Sequence, residues 1–208
     1  MNTPRYIYPP RPKSRILPAA LPELERSGKY LVQRKLVGDR CTVHIDAGKI
    51  SHLSNCRGRW HSNSEHRELR RELLRLKIPS QGITCVDGEL LPSGILVLFD
   101  LLQVGKYLIG KSQTERLLML DRVCGEPQDY CGVLHNSTPL ARQVSDHIWL
   151  AERWHTDFVL HFQECLGHDL IEGLVLRERD STLDNWGSNE YEVDWQIRCR
   201  KGSKKYRY

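Results

Sequence analysis

Short runs rich in β-branched and aromatic residues, each bounded by turn signals, open the ordered part of the chain. The runs 29–34 (KYLVQR), 40–46 (RCTVHID) and 48–54 (GKISHLS) are separated at Gly38-Asp39 and Ala47-Gly48. They predict an antiparallel strand meander. The pattern changes over 64–77. There Leu69, Leu73, Leu74 and Leu76 recur at helical spacing and Pro79 follows, which predicts an amphipathic helix. Two apolar runs, 83–91 (ITCVDGELL) and 94–102 (GILVLFDLL), flank Pro92-Ser93-Gly94 and predict two more strands. A helix is expected over 112–123, opened by Ser112 with Glu115 three residues on, the arrangement of a capping box. Further on, the pattern predicts a short strand at 138–142, a third helix over 144–165 ending at Gly167, and a strand at 170–179 (LIEGLVLRER). A polar loop with Asn185, Gly187 and Asn189 leads to a basic, partly strand-like tail at 191–208. Pro4, Pro9, Pro10, Pro12 and Pro18 predict that residues 1–18 are extended and draped over the domain, and a short helix at 19–27 ends at Gly28. Strands and helices alternate without a βαβ repeat, so the expected class is α+β.

Composition narrows the functional classes. A chain of 208 residues suits one well-packed domain with at most a small appendage. No apolar run approaches the roughly 20 residues of a membrane span, and residues 1–12 lack an apolar signal region. The cysteine count, seven, is odd and there is no CxxC pair, which argues against a disulfide framework or a zinc ribbon. Reduced thiols fit a cytoplasmic protein. The net charge is +5, but its distribution matters more. Arg198, Arg200, Lys201, Lys204, Lys205 and Arg207 crowd the tail, and Arg67, Arg70, Arg71, Arg75 and Lys77 share the predicted helix 64–77. Such patches suit a polyanion; the plainer reading is a solvated helix face and a basic tail. His161, Cys165 and His168 fall at i, i+4 and i+7 of the predicted third helix, a spacing that can serve zinc, although ordinary surface and core residues have the same spacing.

Five strings carry chemistry. KLVGDR (35–40), VDGELL (86–91), VLFDLL (97–102), EGLVLR (172–177) and GSKKYRY (202–208) resemble, in this order, motifs I, III, IIIa, IV and V of the covalent nucleotidyltransferase superfamily. That superfamily contains ATP-dependent DNA ligases, RNA ligases and mRNA capping enzymes. SNCRGR (54–59) weakly resembles the Ser-Arg-x-Gly segment of DNA ligases, with one extra residue. Such chemistry needs a lysine amine that attacks an α-phosphate in its neutral form, carboxylates for a hard cation, and basic groups for the triphosphate.

The resemblance implies a role for each residue. Lys35 is the nucleophile that carries AMP, Arg40 holds the ribose, and Glu89 touches the ribose or the metal. Phe99 stacks on adenine, or is plain core. Glu172 binds the catalytic Mg²⁺ (or Mn²⁺), and Arg177 stands for the basic residue that often ends motif IV. Lys205 and Arg207 contact the α-phosphate, with Arg198 and Arg200 as a competing pair. Gln33 lies near adenine, where DNA ligases often place a Glu. Arg57 or Arg59 contacts phosphate. Asp87-Gly88 has a second reading as a hairpin turn.

The implied architecture is two antiparallel sheets with flanking helices around a nucleotide cleft, in an ATP-grasp-like arrangement, with 1–18 as an extended segment and 19–208 as the adenylation domain. The implied function is sealing of a 5′-phosphate to a 3′-hydroxyl through enzyme-AMP and an AMP-capped end. Nicked or broken DNA is favoured over RNA, an RNA ligase being the first alternative and a catalytically weak nick- or end-binding module the second. Two departures bear on rate. Val37 stands where the family usually has Asp or Asn, and the string ends at motif V with no OB-fold. They imply slower lysine adenylation, with a protein partner as one source of the missing function. The expected assembly is a monomer.

Overall fold

The computed structural model describes residues 8–46, 49–55, 57–59, 66–78, 82–107, 110–125, 133–134, 138–183 and 192–202. Its elements in chain order are β1 (Arg11–Ile16), α1 (Leu21–Arg26), β2 (Tyr30–Leu36), β3 (Asp39–Asp46), β4 (Lys49–Asn55), α2 (Arg67–Leu73), β5 (Ile83–Leu90) and β6 (Leu96–Tyr107). There follow α3 (Gln113–Cys124), β7 (Val133–Leu134), β8 (Thr138–Pro139), β9 (Ala141–Gln143), β10 (Ile148–Ala151), α4 (Phe158–Leu166), β11 (Ile171–Glu178) and β12 (Glu192–Arg200).

Two principal sheets form. The smaller has the order β1-β12-β11-β2 and the larger β4-β3-β5-β6-β10-β9; β7 and β8 pair separately. The class is α+β as expected, but the sheets are mixed rather than antiparallel. β1 runs parallel to β12 and β10 runs parallel to β6. Each parallel partner joins the sheet after a long connection, and strands joined that way are not held to the antiparallel order of a hairpin.

Both sheets bury one alternating set of residues. On β2, Val32 and Leu36 join Leu174, Leu176, Ile197, Cys199 and the helix residues Phe158 and Phe162 in one core. On the larger sheet, Val43, Ile45, Val86, Leu98 and Leu101 pack with Leu69 and Leu73 of α2 and Leu117 and Leu120 of α3. Each such side chain contributes about 1.5–3 kcal/mol when fully buried. α3 begins as expected: the Ser112 side chain accepts from Glu115 N, and the Glu115 side chain accepts from Ser112 N.

The helix expected over 144–165 is not continuous. Its first part is a turn and β10, and only Phe158–Leu166 is helical. Ile148, Trp149 and Leu150 pair with Leu96, Val97 and Leu98, so the neighbouring edge of β6 claims a segment whose apolar positions also fit a helix. The N–H groups of Val144 and Ser145 both reach the carbonyl of Ile148 and close the turn before it. The proline-rich segment is more than drapery, since Arg11–Ile16 is a hydrogen-bonded edge strand. Among the described residues no helix is long and apolar enough to cross a membrane.

Candidate active site

Cross-strand register decides which side chains meet. In the smaller sheet Lys35 on β2 is opposite Gly173 on β11, and Gly173 is opposite Arg200 on β12. The next row is Gln33, Val175 and Arg198, and the one after holds Leu31, Arg177 and Gln196. Paired residues project from the same face of a sheet, so these rows form one wall. The facing wall comes from the larger sheet, where Arg40 on β3 pairs with Glu89 on β5. Between the walls lies a cleft of about 410 Å³, lined by Gln33, Lys35, Arg40, Glu89, Phe99 and Arg177, and also by Arg11, Gln196, Arg198 and Arg200.

Two β-bulges aim key side chains. β11 is irregular between Ile171 and Gly173, opposite Leu36 and Lys35, which leaves Glu172 as the extra residue. Its carboxylate Oε2 lies 2.7 Å from Lys35 Nζ and 3.2 Å from an Arg200 Nη. β6 is irregular opposite the step from Asp87 to Gly88, and Phe99 is the residue without a cross-strand partner. The Phe99 carbonyl instead accepts from Gln33 Nε2 at 3.4 Å. Bulges bend a strand and re-aim its side chains in this way. Asp87-Gly88 is therefore mid-strand rather than a hairpin turn, and the turn sits at Pro92-Ser93-Gly94, where Gly94 N donates to Leu91 O. Glycine is required at 88, because a Cβ there would lie 2.7 Å from the Val97 carbonyl oxygen.

Buried charges brace the floor. Asp87 is fully buried and accepts from Arg40 Nε at 3.1 Å, with Arg40 Nη2 on its other oxygen. Arg40 Nη1 also donates to the carbonyl of Pro10 at 3.0 Å. Asp100 accepts from Arg116 Nε at 3.1 Å and from Arg177 Nη1 at 3.4 Å. The guanidiniums of Arg177 and Arg40 lie 5.0 and 5.5 Å from the centroid of the Phe99 ring, within cation–π range. Burial alone would raise the Asp100 pKa, but Arg116 and Arg177 outweigh it and hold the carboxyl below its ordinary value. Burial pulls Arg177 down to about 10, against the attraction of Asp100. Burial pushes Glu89 up from 4.5 to about 7, with Lys35 and Arg40 opposing it.

That shift gives a pH-dependent prediction. A carboxyl raised in the folded state favours folding at low pH, and its contribution is lost as pH rises through the folded value. The stability of the unliganded protein should therefore fall between about pH 4.5 and 7 on account of Glu89. Glu89→Gln should flatten this part of the urea-midpoint profile. An unchanged slope in the variant would remove Glu89 as its source.

Most expected site residues thus converge. Lys35, Gln33, Arg40, Glu89, Phe99 and Arg177 line the cleft, and Glu172 reaches Lys35 at its edge. Arg57 and Arg59 do not line it; both are exposed in a turn whose backbone N–H groups donate to Asn55 Oδ1. Lys205 and Arg207 lie outside the described residues, whereas the competing pair Arg198 and Arg200 lines the cleft. Sequence reasoning missed Gln196, Arg11 and the bracing roles of Asp87, Asp100 and Arg116. The period of two in Gln196, Arg198 and Arg200 was the available signal. In the His161-Cys165-His168 set, His161 stacks on Trp154 with centroids 4.1 Å apart, and Cys165 Sγ donates to the His161 carbonyl at 3.0 Å. Among the described residues no group of three or more His, Cys, Asp or Glu could hold a metal ion.

The fold is similar to part of the ligase domains of DNA ligases. The ligase domain of Mycobacterium tuberculosis LigD superposes with a TM-score of 0.63 at 18% identity, covering 92% of this chain and 59% of that one. A mycobacterial DNA ligase D complexed with ATP and MES gives 0.55 at 18% identity, over 84% and 55%. A Lig E DNA ligase, described as binding DNA with a minimal scaffold, gives 0.52 at 15% identity, over 93% and 69%. The chain spans about three fifths of the LigD ligase domain. No family model and no curated protein matches the sequence.

Proposed function

We propose that the cleft binds ATP, that Lys35 takes AMP from it as a covalent phosphoramidate, and that the chain passes this AMP to the 5′-phosphate of a nick before sealing it to the 3′-hydroxyl. The observation that carries the reading is the 2.7 Å contact of Lys35 Nζ with Glu172, beside a cleft also lined by the motif residues Arg40, Glu89, Phe99 and Arg177. Among the described residues, four polar atoms lining the cleft have no hydrogen-bond partner: Gln33 Oε1, Gln196 Nε2, Arg177 Nε and Arg198 Nε. Buried polar atoms are seldom left unpaired, and a nucleotide would satisfy them. One solved neighbour, a mycobacterial DNA ligase D, is complexed with ATP.

In the first step Lys35 Nζ, having lost its proton, bonds to the α-phosphorus while the bond to the pyrophosphate oxygen breaks. Glu172 orients the amine. Arg198 and Arg200 face the developing charge, and Arg40, held by Asp87, fixes the sugar side. Mg²⁺ fits the donor set, since it binds through one or two carboxylates and completes its shell with phosphate and water. Glu172 and Glu89 would hold it, and it would neutralise charge on the phosphate oxygens.

Intact mass after incubation with ATP and Mg²⁺ tests the reading. The expected outcome is a gain of one AMP, about 329 Da as the covalent mechanism requires, in the wild type and none in Lys35→Ala. No gain in the wild type would overturn the covalent mechanism and leave a binding module, to which Val37 beside the nucleophile would then point. Sealing compared on nicked DNA, RNA and hybrid duplexes identifies the polymer, with DNA expected. Sealing of none would sink the ligase reading.

A further inference from the structure

Lys201 belongs to the basic tail by sequence, but the structure uses it inside the fold. Successive side chains of a strand point to opposite faces. Arg198 and Arg200 of β12 line the cleft, whereas Cys199 packs on the other face with Phe158, Phe162 and Cys165 of α4. Lys201, one residue past β12, continues on the Cys199 side. Its Nζ donates to the carbonyl of Cys165 at 3.2 Å and also to the carbonyl of His168. These carbonyls stand at the C-terminal end of α4, where a helix leaves its last carbonyls without helical partners and carries partial negative charge. The last turn of α4 has no basic residue of its own. A strand distant in the chain supplies the cation instead.

The same groups frame Glu172. Lys201 N donates to the Glu172 carbonyl at 2.9 Å, and the His168 carbonyl that takes the ammonium also accepts from Ile171 N at 3.3 Å. On the other side of Glu172, the Gly173 carbonyl accepts from Cys165 Sγ at 3.5 Å. Glu172 is the extra residue of the β11 bulge, and the extra residue of a bulge is left unpaired by the ladder. Its backbone is held instead by the end of α4 and by Lys201. The carboxylate on that backbone is the one 2.7 Å from Lys35 Nζ.

We propose that Lys201 is a positioning residue: its ammonium fastens the last turn of α4 to the end of β12 and so holds the Glu172 bulge, which keeps the Glu172 carboxylate aimed at the Lys35 amine. The proposal rests on the reading that Lys35 takes AMP from ATP. Lys201 does not line the cleft. Its effect on AMP uptake passes through Glu172, and binding of the nucleotide does not depend on it.

The test uses the full chain. Single-turnover AMP uptake is followed as a function of ATP for wild type, Lys201→Met, Lys201→Arg, Glu172→Gln and the double variant Lys201→Met/Glu172→Gln. Affinity for nicked DNA is measured alongside. Methionine keeps most of the stem and removes the charge. Lys201→Met should lose about tenfold in uptake at saturating ATP, less than the roughly hundredfold of a 1 Å misplacement, with the ATP concentration for half-saturation unchanged. Lys201→Arg should recover most of the loss. In the Glu172→Gln background Lys201→Met should cost nothing more, because residues that act through one another are not additive. Lys201→Gln, which keeps a donor without the charge, gives the same comparison where the methionine variant does not fold. Unchanged uptake in the neutral variants would overturn the proposal. So would a loss that multiplies in full with that of Glu172→Gln, which would make Lys201 a general support of the fold. A fall in DNA affinity with normal uptake would also overturn it and return Lys201 to a basic nucleic-acid patch. A wild type that takes up no AMP would remove the reading on which the proposal rests, and the proposal with it.

Discussion

Asp100→Asn should destabilise the protein by about 3–5 kcal/mol, the usual cost of leaving a buried charge without its partner. Asp100 is fully buried and is shared by two buried guanidiniums, Arg116 and Arg177. Asparagine keeps the shape but removes the charge that offsets the desolvation of both. For a chain of this length the loss corresponds to roughly 6–20 °C in Tm. The folded carboxyl is held below its ordinary pKa, so its contribution is present above the unfolded value and is lost as pH falls through the folded one. The difference between wild type and variant should therefore be largest near neutral pH and shrink in acid. Arg116→Met in the Asp100→Asn background should recover part of the loss, because it removes one of the stranded charges. Urea unfolding at pH 7 and pH 3 measures both effects. A loss below about 1 kcal/mol at pH 7, in the range of surface ion pairs, would show that water screens this network.

Gly173→Ala should disable the site through the backbone. Gly173 has φ of 139°, and a Cβ there would lie 2.1 Å from the Cys199 carbonyl oxygen and 2.9 Å from Arg200 Cα. Both neighbours are backbone of β12, the strand that carries Arg198 and Arg200, so no side-chain rotation relieves the clash. Backbone strain of this kind costs about 1–3 kcal/mol, and relief by moving β11 away from β12 would also break ladder hydrogen bonds. The bulge that holds Glu172 against Lys35 would shift in either case. A misplacement of about 1 Å can cost roughly a hundredfold in rate, and a loss of that size is expected in AMP uptake. Gly202→Ala is the control: no atom of the described residues lies within 4 Å of its Cβ, and stability should stay within about 0.5 kcal/mol of wild type. Normal AMP uptake by Gly173→Ala would show that the bulge does not position Glu172.

Much of the candidate site was legible because its chemistry sits in short strings. Lys35 and Arg40, Glu89, Phe99, and Glu172 with Arg177 were each named from a run of six residues, and the fold gathers them about one cleft. The tail was harder to read. Lys205-Tyr206-Arg207 and Arg198-Cys199-Arg200 are chemically equivalent as strings, and only the pairing of β12 with β11 brings the second into the cleft wall. The misread helix at 144–165 has the same origin. Its apolar spacing suits a helix locally, but the neighbouring edge of β6 offers Ile148–Leu150 a ladder that no local pattern discloses.

By itself, then, the sequence determined which side chains are candidates for the site, the alternation that buries one face of each strand, and the start of α3 at its capping box. These depend on groups a few residues apart, and local sterics and hydrogen bonding act over that range. The tertiary structure decided partners and aim. Arg40 meets Asp87 across 47 residues of chain, and Arg177 meets Asp100 across 77. A guanidinium accepts any carboxylate of suitable geometry, so the partner is chosen by which strands lie together. The two bulges belong to the same class. Glu172 points at Lys35 because β11 carries one extra residue against β2 and Gly173 leaves room for it beside β12, a property of three strands together.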